Sequence, residues 1–411
     1  MLHKLRFWVV VAVLFVALGM RAEYVRLAPF NALEPDTLRV SLVTCAPGPE
    51  VYQLFGHTAV RVQRSGADAF DLVFNYGVFS FDDDFVLKFT QGHTDYVLAV
   101  YDFQHFIIDY VMRGSSVYEQ ELNLTPAERE ALFVALCHNA RPENRVYRYN
   151  FLYDNCATRP RDKIVESVMS QGERVVYASC DTLYTFRELI RHYAANYSWL
   201  TFGIDLALGC ELDRVATWQE HMFVPLLLQK ACNEAVVVDD NTKQERPLVS
   251  TTTELFHSDA SAVLPPTPWY ISPMACALLL LLVTIVITTY NMRRLVLSRW
   301  YDTLLGIVMF LAGSVIYFLV FCSEHPATTI NLHALWLTPL AILPATLPYV
   351  RRALPIVRWY HTIHLMLIAL FVILVLLRVQ CIDWAVLPLI AVSALRSYNF
   401  IYLYKRKLKN E

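Results

Sequence analysis

Five long apolar stretches fill the C-terminal third of the chain, near 272–290, 303–322, 330–349, 361–378 and 384–402. Four meet or approach the roughly twenty residues that cross a bilayer as a helix, and the stretch at 361–378 is only slightly short. The charges between them alternate. Arg293, Arg294 and Arg299 follow the first stretch, Arg351, Arg352 and Arg358 the third, and "YKRKLK" the fifth. The opposite connections, "CSEHPATT" and "RVQCIDW", hold one arginine between them. Basic loops stay in the cytoplasm, so residues 271–411 read as a five-helix membrane domain with a cytoplasmic C-terminus. Everything before the first span then lies outside.

The other end agrees. A short basic start precedes an apolar run over residues 7–20. That run is short for a span and suits a signal-peptide core, so residues 1–22 read as a signal, with an uncleaved anchor as the alternative. A net charge of -2 over 411 residues, with no basic stripe beyond the membrane flanks, leaves nucleic acid out as a partner. Of nine cysteines six fall in the exported part, where disulfides are permitted but their connectivity is not readable.

The exported part, residues 23–232, reads as α+β, an antiparallel sheet with flanking helices. "LRVSLVTC", "HTAVRVQR", "FDLVFNYGVF", "TDYVLAVYDF", "SSVYEQELNL" and "RVYRYNFLY" carry strand character. "TPAEREALFVALCHNA" is the clearest helix, with Thr125 as its cap and Glu128 at the capping-box position. Residues 182–232 read as mostly helical. Residues 233–268 lack helical or strand period and end Pro-rich, so 233–270 reads as a linker or a lid over the exported face.

Chemistry concentrates at two polar points. His57 opens a strand in "FGHTAVRV", and Cys156 sits in "YNFLYDNCATRPRD". Pro160 lacks a backbone N–H and is comfortable only in a first helical turn, so a helix starts near Ala157 or Thr158. Cys156 then lies at the positive end of that helix, where its sulfur is exposed and its anion favoured. His57 supplies a base if the strands lie side by side. Cys137, Cys180, Cys210 and Cys232 read as small hydrophobes or disulfide halves. His93 reads as a turn residue. No Cys-x-x-Cys or His-Glu-x-x-His pair occurs, so no metal is expected, nor another cofactor, and the absence of Gly-x-Ser-x-Gly speaks against a serine hydrolase.

"FGHTAVRV", "FNYGVFSF" and "YRYNFLYDNCATRPRD", in that order and followed by five apolar stretches, resemble the Lnb-type lipoprotein N-acyltransferases of the Bacteroidota. The His-before-Cys order also resembles the permuted papain-like superfamily. The resemblance implies a thiol acyltransferase in the inner membrane. It takes an acyl chain from a phospholipid donor and delivers it to the α-amine of a diacylated lipoprotein acceptor. It implies Cys156 as nucleophile, His57 as general base and Asn75 as the residue orienting the imidazole, with Asp71 as runner-up. Many relatives have a second histidine there. Arg159, Arg161 and Asp162 read as ion-paired scaffold or, through Arg159, as a headgroup site. Asn155, Tyr76, Glu324 and His325 complete the candidates for substrate contact, and backbone N–H groups over Asn155–Ala157 are the expected oxyanion donors. Trp336 and Trp384 are expected near membrane interfaces. The same Cys–His pair would also suit an anchored amidase or peptidase acting on cell-wall peptide.

Overall fold

The structure, a computed structural model, describes residues 38–66, 68–79, 85–259 and 265–408. The expected signal segment lies outside the described residues. Seven antiparallel strands form the main sheet: β1 (Leu38–Cys45), β2 (His57–Arg64), β3 (Phe70–Val78), β4 (Asp95–Asp102), β5 (Val117–Leu122), β6 (Val146–Arg148) and a later strand, β10. Their order is β10-β5-β1-β2-β3-β4-β6. Alternation along β1, β2 and β3 sends Leu42, Val60, Val62 and Phe74 to one face. Cys45, Ala59 and Val73 go to the other. Each face then needs a cover.

Helix α1 (Phe85–Gln91) leads into β4, and α2 (Phe103–Met112) packs Phe103, Phe106 and Tyr110 on the Ala59 face. Helices α3 (Pro126–Asn139) and α4 (Thr158–Met169) cover the Val60 face. The capping box at Thr125 forms as expected: its hydroxyl takes the Glu128 N–H, and the Glu128 carboxylate takes the Thr125 N–H at 2.7 Å. Helices α5 (Phe186–Tyr193), α6 (Ser198–Ala207), α7 (Trp218–His221) and α8 (Pro225–Glu234) follow.

The reading of residues 233–268 as devoid of strand period is corrected. β7 (Glu173–Val176), β8 (Val236–Asp239) and β9 (Glu245–Pro247) build a second sheet, and β10 (Val249–Phe256) pairs with β5 at the edge of the first. β10 is exposed along most of its length, so no apolar alternation marks it in the sequence.

Among the described residues four continuous helices are long and apolar enough to cross a membrane: α9 (Pro273–Arg294), α10 (Arg299–Cys322), α12 (Leu354–Leu376) and α13 (Val386–Leu403). The stretch at 330–349 is not the single helix expected. Pro339, Pro344 and Pro348 break it into short turns, among them α11 (Ile342–Thr346). It nevertheless runs antiparallel along the whole of α10. Thr328 bonds the Leu319 carbonyl, Tyr317 bonds that of Ala334, Gly313 abuts Thr338, and Thr303 bonds the Ala345 carbonyl. Irregular backbone at such depth is tolerated where protein buries it, and this passage supplies Leu332, Leu337 and Ala341 to the bundle core. Trp336 is 3 % exposed inside the bundle, with its indole N–H on His333 Nδ1 at 3.1 Å, while Trp384 is exposed.

The two regions meet through hydrogen bonds from main-chain N–H groups and from a side-chain amide. Gly209 N–H donates to Ala327 O at 2.8 Å, Asn331 Nδ2 to Leu206 O at 2.7 Å, and Glu324 N–H to Gln91 O at 2.9 Å.

Candidate active site

β2 begins at His57, immediately after Gly56, whose φ of +80° turns the chain into the sheet. The β2–β3 register pairs Val60 with Phe74 and so puts Asn75 diagonal to His57 on the same face. His57 Nε2 lies 2.5 Å from Asn75 Oδ1. An amide oxygen only accepts, so Nε2 carries the proton and Nδ1 keeps its lone pair. The imidazole is stacked on Tyr110 at 6.2 Å between centroids, which fixes its plane.

Cys156 comes from the opposite direction. α4 begins at Thr158 with Pro160 in its first turn, and the sulfur-bearing residue directly precedes the Ala157 cap. Gly77 lets the two meet. A Cβ built on Gly77 would stand 3.4 Å from Cys156 Cβ and 3.9 Å from both His57 Cε1 and the Tyr147 hydroxyl, so these side chains converge on one point. Its φ of +91° is glycine's own region.

The electrostatics differ from the exposed thiolate expected. Cys156 and His57 are each half-buried. Burial pushes the thiol up to about 11, opposed by the N–H groups of Thr58 and of Cys156 itself, which both point at the sulfur. Burial likewise lowers His57 to about 4, against the Asn75 hydrogen bond, and the Arg113 charge lowers it further. The resting pair is therefore thiol and neutral imidazole. A base with a free Nδ1 that converges with a thiol on the same point can take its proton as sulfur attacks a carbonyl.

Other expected residues stand in different roles. Asn155 is 2 % exposed and works as a cap. Its Oδ1 accepts from Ala157 N–H at 2.8 Å and Thr158 N–H at 3.0 Å, and its Nδ2 holds the Phe151 and Phe223 carbonyls. Two of the expected oxyanion donors, Asn155 and Ala157, are thus occupied, the first by Thr158 Oγ1 at 2.8 Å. Tyr76 is fully buried and accepts from Asn139 Nδ2 at 2.9 Å. Asp71 is held by Arg61 at 2.7 Å and does not reach the imidazole. Arg159 grips Asp154 with both arms, at 2.5 and 2.8 Å, and lies 3.6 Å over the Tyr147 ring, which commits its Nε–Nη2 edge to that carboxylate. Arg161 donates to Asp162 and to the Gln219 carbonyl.

Glu324 and His325 are not brought to the thiol. Glu324 meets His93 at 3.0 Å, and His325 bonds the Phe89 carbonyl at 2.7 Å, so they dock the outer loop onto α1 and the turn that follows it. His93 is therefore more than a turn residue. All nine cysteines are free. Among the described residues no group of three or more His, Cys, Asp or Glu side chains is placed to hold a metal ion.

Aromatic packing ties the site to the helices that meet the membrane region. Phe55, two residues before His57, touches Phe151 at 4.8 Å and Tyr193 at 5.4 Å between centroids. Phe151 opens the Cys156 turn, Tyr193 ends α5, and α6 contacts the outer loop through Leu206. Tyr147, Tyr110 and Thr58 line the site without having been singled out in the sequence. The alternation of "RVYRYNFLY" marks Tyr147 only as a strand residue.

Two family models match the chain. One, described as the Lnb N-terminal periplasmic domain, matches residues 27–197, and the other, the Lnb transmembrane domain, matches residues 266–407. Neither the curated proteins nor the solved structures contain a match.

Proposed function

We propose an activity for a chain that belongs to the Lnb family, a membrane-spanning protein with a periplasmic N-terminal domain. It moves an acyl chain from a phospholipid, through a thioester on Cys156, to the α-amine of a diacylglyceryl-cysteine lipoprotein. The carrying observation is the convergence of Cys156 and an Asn75-oriented His57 on the space left by Gly77.

In the first half-reaction Cys156 Sγ attacks the ester carbonyl and its proton passes to His57 Nδ1. The tetrahedral intermediate collapses, the imidazolium protonates the departing glycerol oxygen, and a lysophospholipid leaves. In the second, the acceptor amine attacks the thioester. Its pKa of about 8 leaves a useful neutral fraction near neutrality, and His57 takes the proton lost on attack. The thiol is regenerated and an N-acylated lipoprotein released. Asn75 keeps the imidazole in the tautomer both steps need.

A membrane domain suits this chemistry. Lifting an acyl chain into water costs about 0.8 kcal/mol per CH₂, whereas spans beneath the thiol let both greasy substrates keep their chains in hydrocarbon. In this reading the protein sits in the inner membrane with its C-terminus in the cytoplasm, as the arginine-rich connections support. Mass spectrometry of lipoprotein N-termini tests the proposal. Cells expressing only the Cys156→Ala form should accumulate diacylated lipoproteins with a free amine. Unchanged triacylation, with no second enzyme active, contradicts it and returns the peptidase reading.

A further inference from the structure

Attack on an acyl carbonyl turns its oxygen into an oxyanion, and preorganised donors aimed at that oxygen are commonly the largest single contribution to such catalysis. The turn around Cys156 is short of them. Asn155 N–H is bound by Thr158 Oγ1, and Ala157 and Thr158 N–H are bound by Asn155 Oδ1. The Cys156 N–H and, across the site, the Thr58 N–H face the sulfur.

A hydroxyl stands beside the same point. The Tyr147 oxygen lies 3.9 Å from where a Gly77 Cβ would be, itself 3.4 Å from Cys156 Cβ. Tyr147 is 7 % exposed, and its hydroxyl is buried without a hydrogen-bond partner. Buried polar groups are nearly always paired, so an orphan of this kind calls for a reason. Phenylalanine would fill the same space without one. The ring cannot swing away easily. The Arg159 guanidinium covers it at 3.6 Å, Tyr76 meets it edge-on at 71° and 6.1 Å, and Arg159 is itself locked by Asp154.

We propose that the Tyr147 hydroxyl is a catalytic oxyanion donor, hydrogen-bonding the carbonyl oxygen as Cys156 attacks, with Arg159 as the residue that positions its ring. This rests on the acyl-transfer reading above. The S–C bond forms, the carbonyl π pair moves to oxygen, the thiol proton goes to His57 Nδ1, and Tyr147 keeps its own proton throughout. Burial and the neighbouring Cys156 push the phenol well above its ordinary range, so it stays a neutral donor at working pH.

Two reactions of one thiol test it. Full-length protein in detergent micelles containing phosphatidylethanolamine is quenched over time, and the Cys156 thioester is read by mass. In parallel, iodoacetamide alkylates Cys156, a displacement at saturated carbon that forms no oxyanion. Tyr147→Phe should slow acylation on the order of 10²-fold and leave alkylation unchanged. Acylation at the unsubstituted rate overturns the proposal, and so does an equal fall in both reactions. Wild-type protein that alkylates but never acylates removes the acyl-transfer reading itself, and this inference with it. If Tyr147→Phe does not fold, 4-fluorophenylalanine at 147 fills nearly the same space with no donor. It must then slow acylation and leave alkylation unchanged, and acylation at the unsubstituted rate overturns the donor role.

Discussion

At Cys156 two influences oppose each other: burial holds the proton on sulfur, and the Thr58 and Cys156 N–H groups favour its loss. Burial prevails, and the same burial keeps His57 neutral down to about pH 4. The sign for activity follows. The imidazole must be unprotonated to accept the thiol proton, so single-turnover acylation should stay level from neutrality and fall only as pH drops toward 4; an acid limb near 6.5 would contradict this. Stability has the same sign. Unfolded histidine takes up a proton from about 6.5 downward and the folded one only near 4, so stability is lost as pH falls across that window. Asn75→Ala frees the imidazole to rotate, and acylation should fall on the order of 10²-fold with micelle binding intact. A variant at full rate would remove Asn75 from the site. Gly77→Ala places a methyl at the meeting point and strains a φ of +91°, at about 1–2 kcal/mol. It should lower the thermal midpoint and abolish acylation together. Of these residues the sequence exposes Cys156 through Pro160 and His57 through its polar place on an apolar strand, while Asn75 comes from the family likeness. Tyr147 stays hidden because its role lies in what its oxygen lacks, which only three-dimensional placement reveals.

Elements with strong local chemistry are legible and those built on remote pairing are not. The Thr125 cap and the breaks at Pro160 act within one turn, so α3 and α4 are readable from their own residues. β10 pairs with β5 across more than a hundred positions and turns most of its side chains to solvent, which leaves no period to detect. The apolar stretch at 330–349 has the composition of a span, yet three prolines remove its ladder donors. Its packing then depends on close approach. A Cβ on Gly313 would lie 2.6 Å from the Thr338 carbonyl carbon, on a backbone that cannot step aside. Gly313→Ala should therefore destabilise the bundle by about 1–3 kcal/mol, seen as a lower thermal midpoint in detergent. An unchanged midpoint would mean that the broken passage does not rest on α10.

On the scale of the whole molecule, a periplasmic sheet domain and a helical membrane domain are joined by hydrogen bonds from their main chains rather than by a free tether. Residues 245–256 are folded into the sheets, so a lid drawn from the presumed linker would have to do without them. Glu324 and His325, expected near substrate, instead hold the outer loop against α1 and the turn that follows it. Glu324→Ala should loosen this dock and weaken acyl transfer to a lipoprotein without altering iodoacetamide labelling of Cys156. Equal loss of both would place Glu324 in the thiol's own surroundings. The central claim is that the thiol carries an acyl chain between two membrane-anchored molecules. Its most direct measurement is the intact mass of purified protein incubated with phosphatidylethanolamine in the absence of any acceptor amine. The account predicts one added acyl group, mapped to Cys156, released by neutral hydroxylamine and absent from Cys156→Ala. An unmodified mass from protein that still acylates lipoprotein, or an acyl group on another residue, would contradict it.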